Sequence, residues 1–315
     1  MLRSSLAWAT MSGRDILFFW LATDENHADA PSRNRDLAPP PPSSERSRRL
    51  LRPQRPRGFP GLPSATSDGC LGLEVRAGGG GLSRALEDAG LAMAVPIDVG
   101  NQEGPKQPHM DLENADVVAA LLDQIADGCF KYIHFAVPCA SWSTIQRMNG
   151  GSRRTGKPQG DERDPEECRA NGLAEAVALL IEAQVGAGGY FSVENPNSSH
   201  LWDFPRMKKA LRGHYAAVFD QRQYGLHIRP DNGPTLILKK RTRLVSNLAE
   251  LSALSVDCPG GHVHSRCLGS ARIGGRRQDL ARAAGAHPPG LCKRWAGLVG
   301  AGLRKELRPP AMARG

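Results

Sequence analysis

Tyr132-Ile133-His134-Phe135-Ala136-Val137-Pro138-Cys139-Ala140-Ser141-Trp142-Ser143 is the stretch that decides the fold. Tyr132 to Val137 is apolar enough, and short enough, to be a buried strand. It stops at Pro138, which has no backbone N–H to donate to a ladder. A polar loop, Ala140 to Glu166, follows. Upstream, Ala115 to Ile125 has the apolar spacing of an amphipathic helix. Downstream, Cys168 to Val185 repeats that pattern, with Leu173, Val177, Leu180, Ile181 and Gln184 in register. Tyr190 to Val193 is a second short strand, ending in Glu194-Asn195-Pro196. Working outward, Cys70 to Val75 is a strand that meets Gly78 to Gly81, Leu82 to Ala89 is helical, and Ala92 to Asp98 is apolar and ends in an acid. Ala216 to Phe219 and Thr235 to Leu238 supply two more strands, and Gly290 to Leu303 reads as a closing helix with Leu291, Trp295 and Leu298 inside and Cys292 in the core. Strands alternating with helices predict an open α/β sheet, doubly wound and mostly parallel, with helices on both faces. Ligands of such sheets sit at the carboxyl ends of the strands.

The flanks read differently. Residues 1–68 hold the run Pro39 to Pro42 and Arg46, Arg48, Arg49, Arg52, Arg55 and Arg57. They sustain no helical or strand period, so the sequence predicts a disordered leader. The folded domain spans 69–300, and 301–315 is a basic tail. Glycine (35) and proline (24) are abundant in the 315 residues while aromatics are 5%, which fits a chain that is only partly packed. A net charge of +9 favours a polyanionic partner, most simply nucleic acid. Seven cysteines in no framework pattern argue for a reducing compartment. No apolar run approaches the length of a membrane span. The basic leader reads as a nuclear address, a phosphate-binding arm, a plain linker or an organelle leader. The expected location is the nucleus of a eukaryote or otherwise the cytoplasm.

Each chemistry-bearing motif falls at a strand end. Gly78 to Gly81 stand between strand and helix, where backbone passes close to a ligand and helix N–H groups are free. Asp98 ends the next strand, where an acid accepts ribose hydroxyls. Cys139, at the mouth of the buried strand, is placed as a thiolate nucleophile. Glu194 and Asn195 pair a carboxyl with an amide, a set able to exchange protons with a base ring. Taken singly, these are a flexible loop, a helix cap, a core thiol and a turn.

In this order the motifs resemble those of the cytosine-C5 DNA methyltransferases. Leu73 to Leu82 resembles the family's strand-and-glycine motif for S-adenosylmethionine. Val137-Pro138-Cys139-Ala140-Ser141-Trp142-Ser143 resembles its Pro-Pro-Cys motif, and Glu194-Asn195 its Glu-Asn pair. Glu194-Asn195-Pro196 with Ser199, Leu201 and Trp202, together with Asp220 to Gly225 and Gly233-Pro234-Thr235, looks most like a compact branch carried by retroelements and by algal or protist genomes. The resemblance covers about Gly69 to Leu298. It implies a class I S-adenosylmethionine-dependent methyltransferase fold and methylation of cytosine C5 in double- or single-stranded DNA by a monomer. Cys139, preceded by Pro138, would attack the base, Glu194 would meet N3, and Asn195 would hold the loop. Gly78, Gly80, Gly81, Asp98 and Asp111 would bind S-adenosylmethionine, with Asp111 equally suited to cap the following helix. Ser141, Arg147, Arg153, Arg154, Arg222 and Arg229 would meet nucleic acid, helped by a stripe at Arg272, Arg276, Arg277 and Arg282.

The chain departs from that pattern. Arg76 stands where the family has an aromatic residue, and Pro96 where an acid is usual. No Gln-x-Arg-x-Arg motif is plain, Arg222 and Arg229 being its substitutes, and no sizeable target-recognition region fits after Gln223. Two rivals therefore stay open: the same chemistry on RNA such as transfer RNA, and a catalytically decayed nucleic-acid-binding remnant of a mobile element. Cys258, His262, His264 and Cys267 are a candidate zinc set. Their spacing fits no common zinc signature, and a Gly-rich loop with histidines facing phosphate or water is the alternative.

Overall fold

The computed structural model describes residues 8–12, 15–19, 71–98 and 111–306. The chain divides into two units, Met1–Pro56 and Arg57–Gly315. In the first, β1 (Trp8–Ser12) and β2 (Asp15–Phe19) form an antiparallel hairpin with Trp8 opposite Phe19. Strands of five residues are too brief to register as a period within the Arg- and Pro-rich leader. The rest of that leader, and the end of the basic tail, lie outside the described residues.

The second unit is an α/β fold around a five-stranded sheet. Its elements are β3 (Leu71–Val75), α1 (Gly81–Asp88), α2 (Ala115–Ala126), β4 (Phe130–Ala136), α3 (Pro165–Gly186), β5 (Tyr190–Pro196), α4 (Pro205–Ala210), β6 (Tyr215–Asp220), β7 (Arg241–Ser246), β8 (Ser270–Ile273), β9 (Arg276–Asp279), α5 (Leu280–Ala283) and α6 (Pro289–Glu306). The order across the sheet is β3-β4-β5-β7-β6. No helix among the described residues is long and apolar enough to cross a membrane.

The sheet is mixed, which corrects the expectation of a mostly parallel one. β3, β4 and β5 run parallel, but β7 is antiparallel to both β5 and β6. The reason lies between β6 and β7. Parallel neighbours need a crossover segment, usually a helix, and residues 221–240 form only a single 3-10 turn, Gln221–Tyr224. The apolar run Thr235 to Leu238 is not a sheet strand. It makes isolated bridges, Ile228 to Leu236 and Leu238 to Ser265. The true strand starts at Arg241, and the arginines at 241 and 243 hide its apolar half. Ala92 to Asp98 lies along the open side of β3 through two parallel bridges, Gly72 to Met93 and Val75 to Ile97.

Side-chain alternation along the strands separates two layers. Leu73, Val75, Ile133, Phe135, Phe191 and Val193 face α2, α3 and α4 in one apolar core. Tyr132, Ala217, Phe219 and Leu244 face α1 and α6 in the other, closed by Leu291, Trp295 and Val299. The inner face expected for the closing helix is thus correct at Leu291 and Trp295, with Leu298 half-buried against the same core. Each of the fully buried large side chains contributes on the order of 2 kcal/mol. α2 begins at Asn114, whose side chain accepts from the Asp116 N–H, and α3 at Asp164, which accepts from the Glu166 and Glu167 N–H groups ahead of Pro165.

Candidate active site

The carboxyl ends of β4 and β5 carry the centre. Their parallel register places His134 beside Ser192 and Ala136 beside Glu194. Past Ala136 the chain turns out of the sheet at Pro138, so Cys139 emerges next to Glu194. A turn closed by the Trp142 N–H on the Cys139 carbonyl (3.2 Å) exposes the thiol at the rim. The flanking protein still strips enough water to push the Cys139 thiol up, and the nearby Glu194 carboxylate adds to this while Lys240 opposes it. Asn195 is fully buried, and its Nδ2 donates to the Val137 carbonyl at 2.8 Å. Trp142 is buried behind the cysteine loop, and its carbonyl accepts from the His200 N–H at 3.0 Å. The structure therefore brings Pro138, Cys139, Glu194 and Asn195 together.

Two residues that sequence reasoning missed complete this neighbourhood. His287, just before α6, sets its Nε2 3.9 Å from a Glu194 oxygen. Lys240, just before β7, donates from Nζ to the Ala284 carbonyl at 2.8 Å. Both come from parts of the sequence with no motif, and only the packing of the chain's last third against β4 and β5 reveals them. Behind them lies a buried polar layer on the α6 side of the sheet. Trp295 Nε1 donates to the Tyr132 hydroxyl at 2.8 Å, that hydroxyl pairs with Ser192 Oγ at 2.5 Å, and Ser192 Oγ meets His134 Nδ1 at 2.9 Å. Trp295 packs edge-on to His134 with centroids 4.7 Å apart. Burial depresses His134 well below the ordinary histidine range, and His287 adds to it. Burial also lowers His287, against the opposing pull of Glu194.

Loop 140–166 is held from within. Arg153 is buried, and its guanidinium stacks 3.7 Å over the Trp142 ring. It donates to the Ser141 carbonyl and hydroxyl, the Pro158 and Glu167 carbonyls and Asn171 Oδ1. Arg153 and its partner Ser141 are thus internal braces in this structure, where the sequence suggested nucleic-acid contacts. Glu167 adds a second brace, accepting from Ser152 N and Oγ and from the Asp161 N–H. A side chain at Gly160 would run into the Glu167 carboxylate at 2.0 Å, so this close approach requires glycine. Arg147 and Arg154 remain on the surface. The Arg154 guanidinium donates to the Gly151 and Arg153 carbonyls beside it.

The crevice at the end of β3 holds the cofactor candidates. Gly78 and Gly80 take left-handed φ values of 55° and 62°, and Gly80, at the N-cap of α1, offers no side chain to cap it, though the Ser83 N–H in the first turn is taken by Glu74. A cavity of about 850 Å³ borders this loop, lined among others by Glu74, Gly79, Gly81, Ala85 and His287. That is room for a small-molecule ligand. Glu74 accepts from Ser83 N and Oγ, and burial pushes its carboxyl up. Asp98 Oδ2 accepts from the Gly78 N–H at 2.8 Å, so the acid and the glycine turn are one unit. Asp111 accepts from the Glu113 N–H, and the cap of α2, the other role expected of Asp111, belongs to Asn114. Arg76 reaches within 3.9 Å of Asp111 from a left-handed φ of 65°.

The remaining candidates stand apart. Arg229 is exposed, and Arg222 points Nη1 at Cys258 Sγ, 3.9 Å away. Arg272, Arg276 and Arg277 project from the β8–β9 hairpin, whose Gly274-Gly275 turn is fixed by two N–H bonds to Asp231. Cys258, His262 and His264 converge within 4.8 Å, without Cys267, whose thiol lies 4.0 Å from the Lys239 carbonyl. Compared with known proteins, the chain matches no family model and no curated sequence.

Proposed function

We propose that this protein is a methyltransferase of class I fold that transfers a methyl group from S-adenosylmethionine to C5 of cytosine in DNA. The observation that carries this reading is the meeting of Cys139 and Glu194 on adjacent strand ends, with Asn195 locking the two ends together. Three parallel strands whose carboxyl ends share one rim support the fold assignment.

Cytosine C5 is a poor nucleophile until the ring is made electron-rich. The Cys139 thiolate adds to C6 while Glu194 hydrogen-bonds or protonates N3, and the ring electrons move to C5. When bound, S-adenosylmethionine supplies an electrophilic methyl group at C5. Loss of the C5 proton then returns electrons to the ring and expels Cys139. A base inside a duplex cannot reach Cys139, so the nucleotide is flipped into the rim pocket. Gly78, Gly80 and Gly81 suit the cofactor, because space beside Gly78 is open and the start of α1, with no side chain at its N-cap Gly80, faces the same crevice. Asp98 lies beside that turn for the ribose, and Asp111 is assigned the adenine amine. Arg147, Arg154, Arg222 and Arg229 are assigned the phosphates.

The deciding experiment is trapping on DNA that contains 5-fluorocytosine, with S-adenosylmethionine present. Fluorine cannot leave as a proton, so the Cys139 adduct persists on a denaturing gel. An adduct lost in Cys139→Ser is the expected result. Adducts on RNA alone would reassign the substrate. No adduct on any nucleic acid would favour the decayed remnant, a reading that draws support from the Arg76–Asp111 contact across the expected adenine site.

A further inference from the structure

We infer that Cys258, His262 and His264 form a zinc-binding centre. Cys258 Sγ lies 3.3 Å from His262 Nε2 and 3.4 Å from His264 Nε2. A tetrahedral zinc with Zn–S of about 2.3 Å and Zn–N of about 2.0 Å needs sulfur-to-nitrogen edges of roughly 3.5 Å. Both sulfur-to-nitrogen edges are already close to that length, and all three donor atoms lie within 4.8 Å of one another. One cation would take a lone pair from all three donors at once.

The backbone is built to produce this convergence. Gly260 and Gly261 both adopt left-handed φ values, 81° and 76°, which fold the chain back so that His262 returns to Cys258. The loop is clamped on both sides. At its start, Val256 bridges Phe219 and accepts from the Asp220 N–H; at its end, Ser265 donates to Ile237 and accepts from Lys239. The Arg222 guanidinium packs against the same sulfur from outside the loop, with Nη1 3.9 Å from Cys258 Sγ.

Thiolate plus imidazole is a borderline-soft set that selects zinc over magnesium or calcium. Three protein ligands leave the fourth position to water. The centre meets Arg222 through Cys258, so metal binding and the placement of that guanidinium share one sulfur. It stands independently of the methyl-transfer reading, since none of its three ligands is assigned to that chemistry.

The test is metal content and cobalt substitution on the full chain. Purified protein is expected to retain one zinc per chain by mass spectrometry. After chelation, cobalt(II) should restore a thiolate-to-cobalt charge-transfer band together with intense tetrahedral d–d bands. Cys258→Ser should lose the charge-transfer band, while Cys139→Ser and Cys267→Ser should keep it. His262→Ala and His264→Ala should weaken cobalt binding by more than about tenfold, with circular dichroism confirming that they fold. Those histidine variants carry the test if Cys258→Ser fails to fold. A wild-type chain that binds neither zinc nor cobalt, or a band that survives Cys258→Ser, would overturn the assignment.

Discussion

Asn195 Nδ2 donates to the Val137 carbonyl at 2.8 Å, and this bond joins the carboxyl ends of β4 and β5 behind the cysteine loop. It is the means by which one strand end registers against the other once the ladder has stopped at Ala136. Asn195→Ala leaves a buried carbonyl unpaired, and Asn195→Asp sets an acceptor against it. Each should cost about 1–3 kcal/mol in urea unfolding. Both should also slow formation of the Cys139 adduct, since the cysteine loop loses its anchor. Unchanged stability in Asn195→Asp would show that the bond contributes nothing.

Cys139 should react slowly at neutral pH despite its exposure. Desolvation, helped by Glu194, holds the thiol above its ordinary range, so the thiolate grows in only as pH rises past that range. Iodoacetamide labelling against pH should show this directly. Glu194→Gln should speed labelling at neutral pH, and Lys240→Met should slow it. The opposite order would exclude these two side chains as the charges felt by Cys139.

Arg153→Ala should destabilise the protein by about 3 kcal/mol, because several charge-assisted hydrogen bonds and the stack on Trp142 go together. Arg154→Ala, one residue on and exposed, should stay within about 0.5 kcal/mol. Nucleic-acid affinity should respond in reverse, with Arg154→Ala weakening binding and lowering its salt dependence. Chemical unfolding and filter binding on the two variants separate brace from contact.

Folding stability should fall in mild acid. His134 and His287 are both depressed in the folded state, so the unfolded chain binds more protons below its own histidine pKa of about 6.5. Stability from these groups is full above that pH and is lost as pH drops from there toward the folded values. His134→Gln should flatten the decline measured by urea unfolding at successive pH values. A slope unchanged by the substitution would place the acid sensitivity elsewhere.

Much of the centre was legible because chemistry and strand ends coincide in the sequence. Val137 to Ser143 and Glu194-Asn195 announce themselves through proline, cysteine and a carboxyl after apolar runs. Lys240 and His287 do not, since each joins the centre only through its position near Cys139 or Glu194, and no local pattern encodes that. β7 was hidden for a related reason. Its apolar residues are buried against neighbours on both sides, but Arg241 and Arg243 break the run that would reveal it. Arg153 was read as a surface cation because a charge run normally faces water. Here Trp142 and a ring of carbonyls give the guanidinium a better partner than solvent.

The reversal of β7 has one more effect. Asp220 and Arg241 are paired directly across the β6–β7 ladder, so residues 221–240 depart from and rejoin the sheet at neighbouring points on the rim that holds Cys139. Closing a loop between fixed, adjacent ends becomes only about 0.6 kcal/mol costlier with each doubling of its length. Extra chain can therefore be spliced in at this rim while the strands keep their register. Length added between Asp220 and Arg241 changes what this side of the rim presents without rebuilding the sheet beneath it.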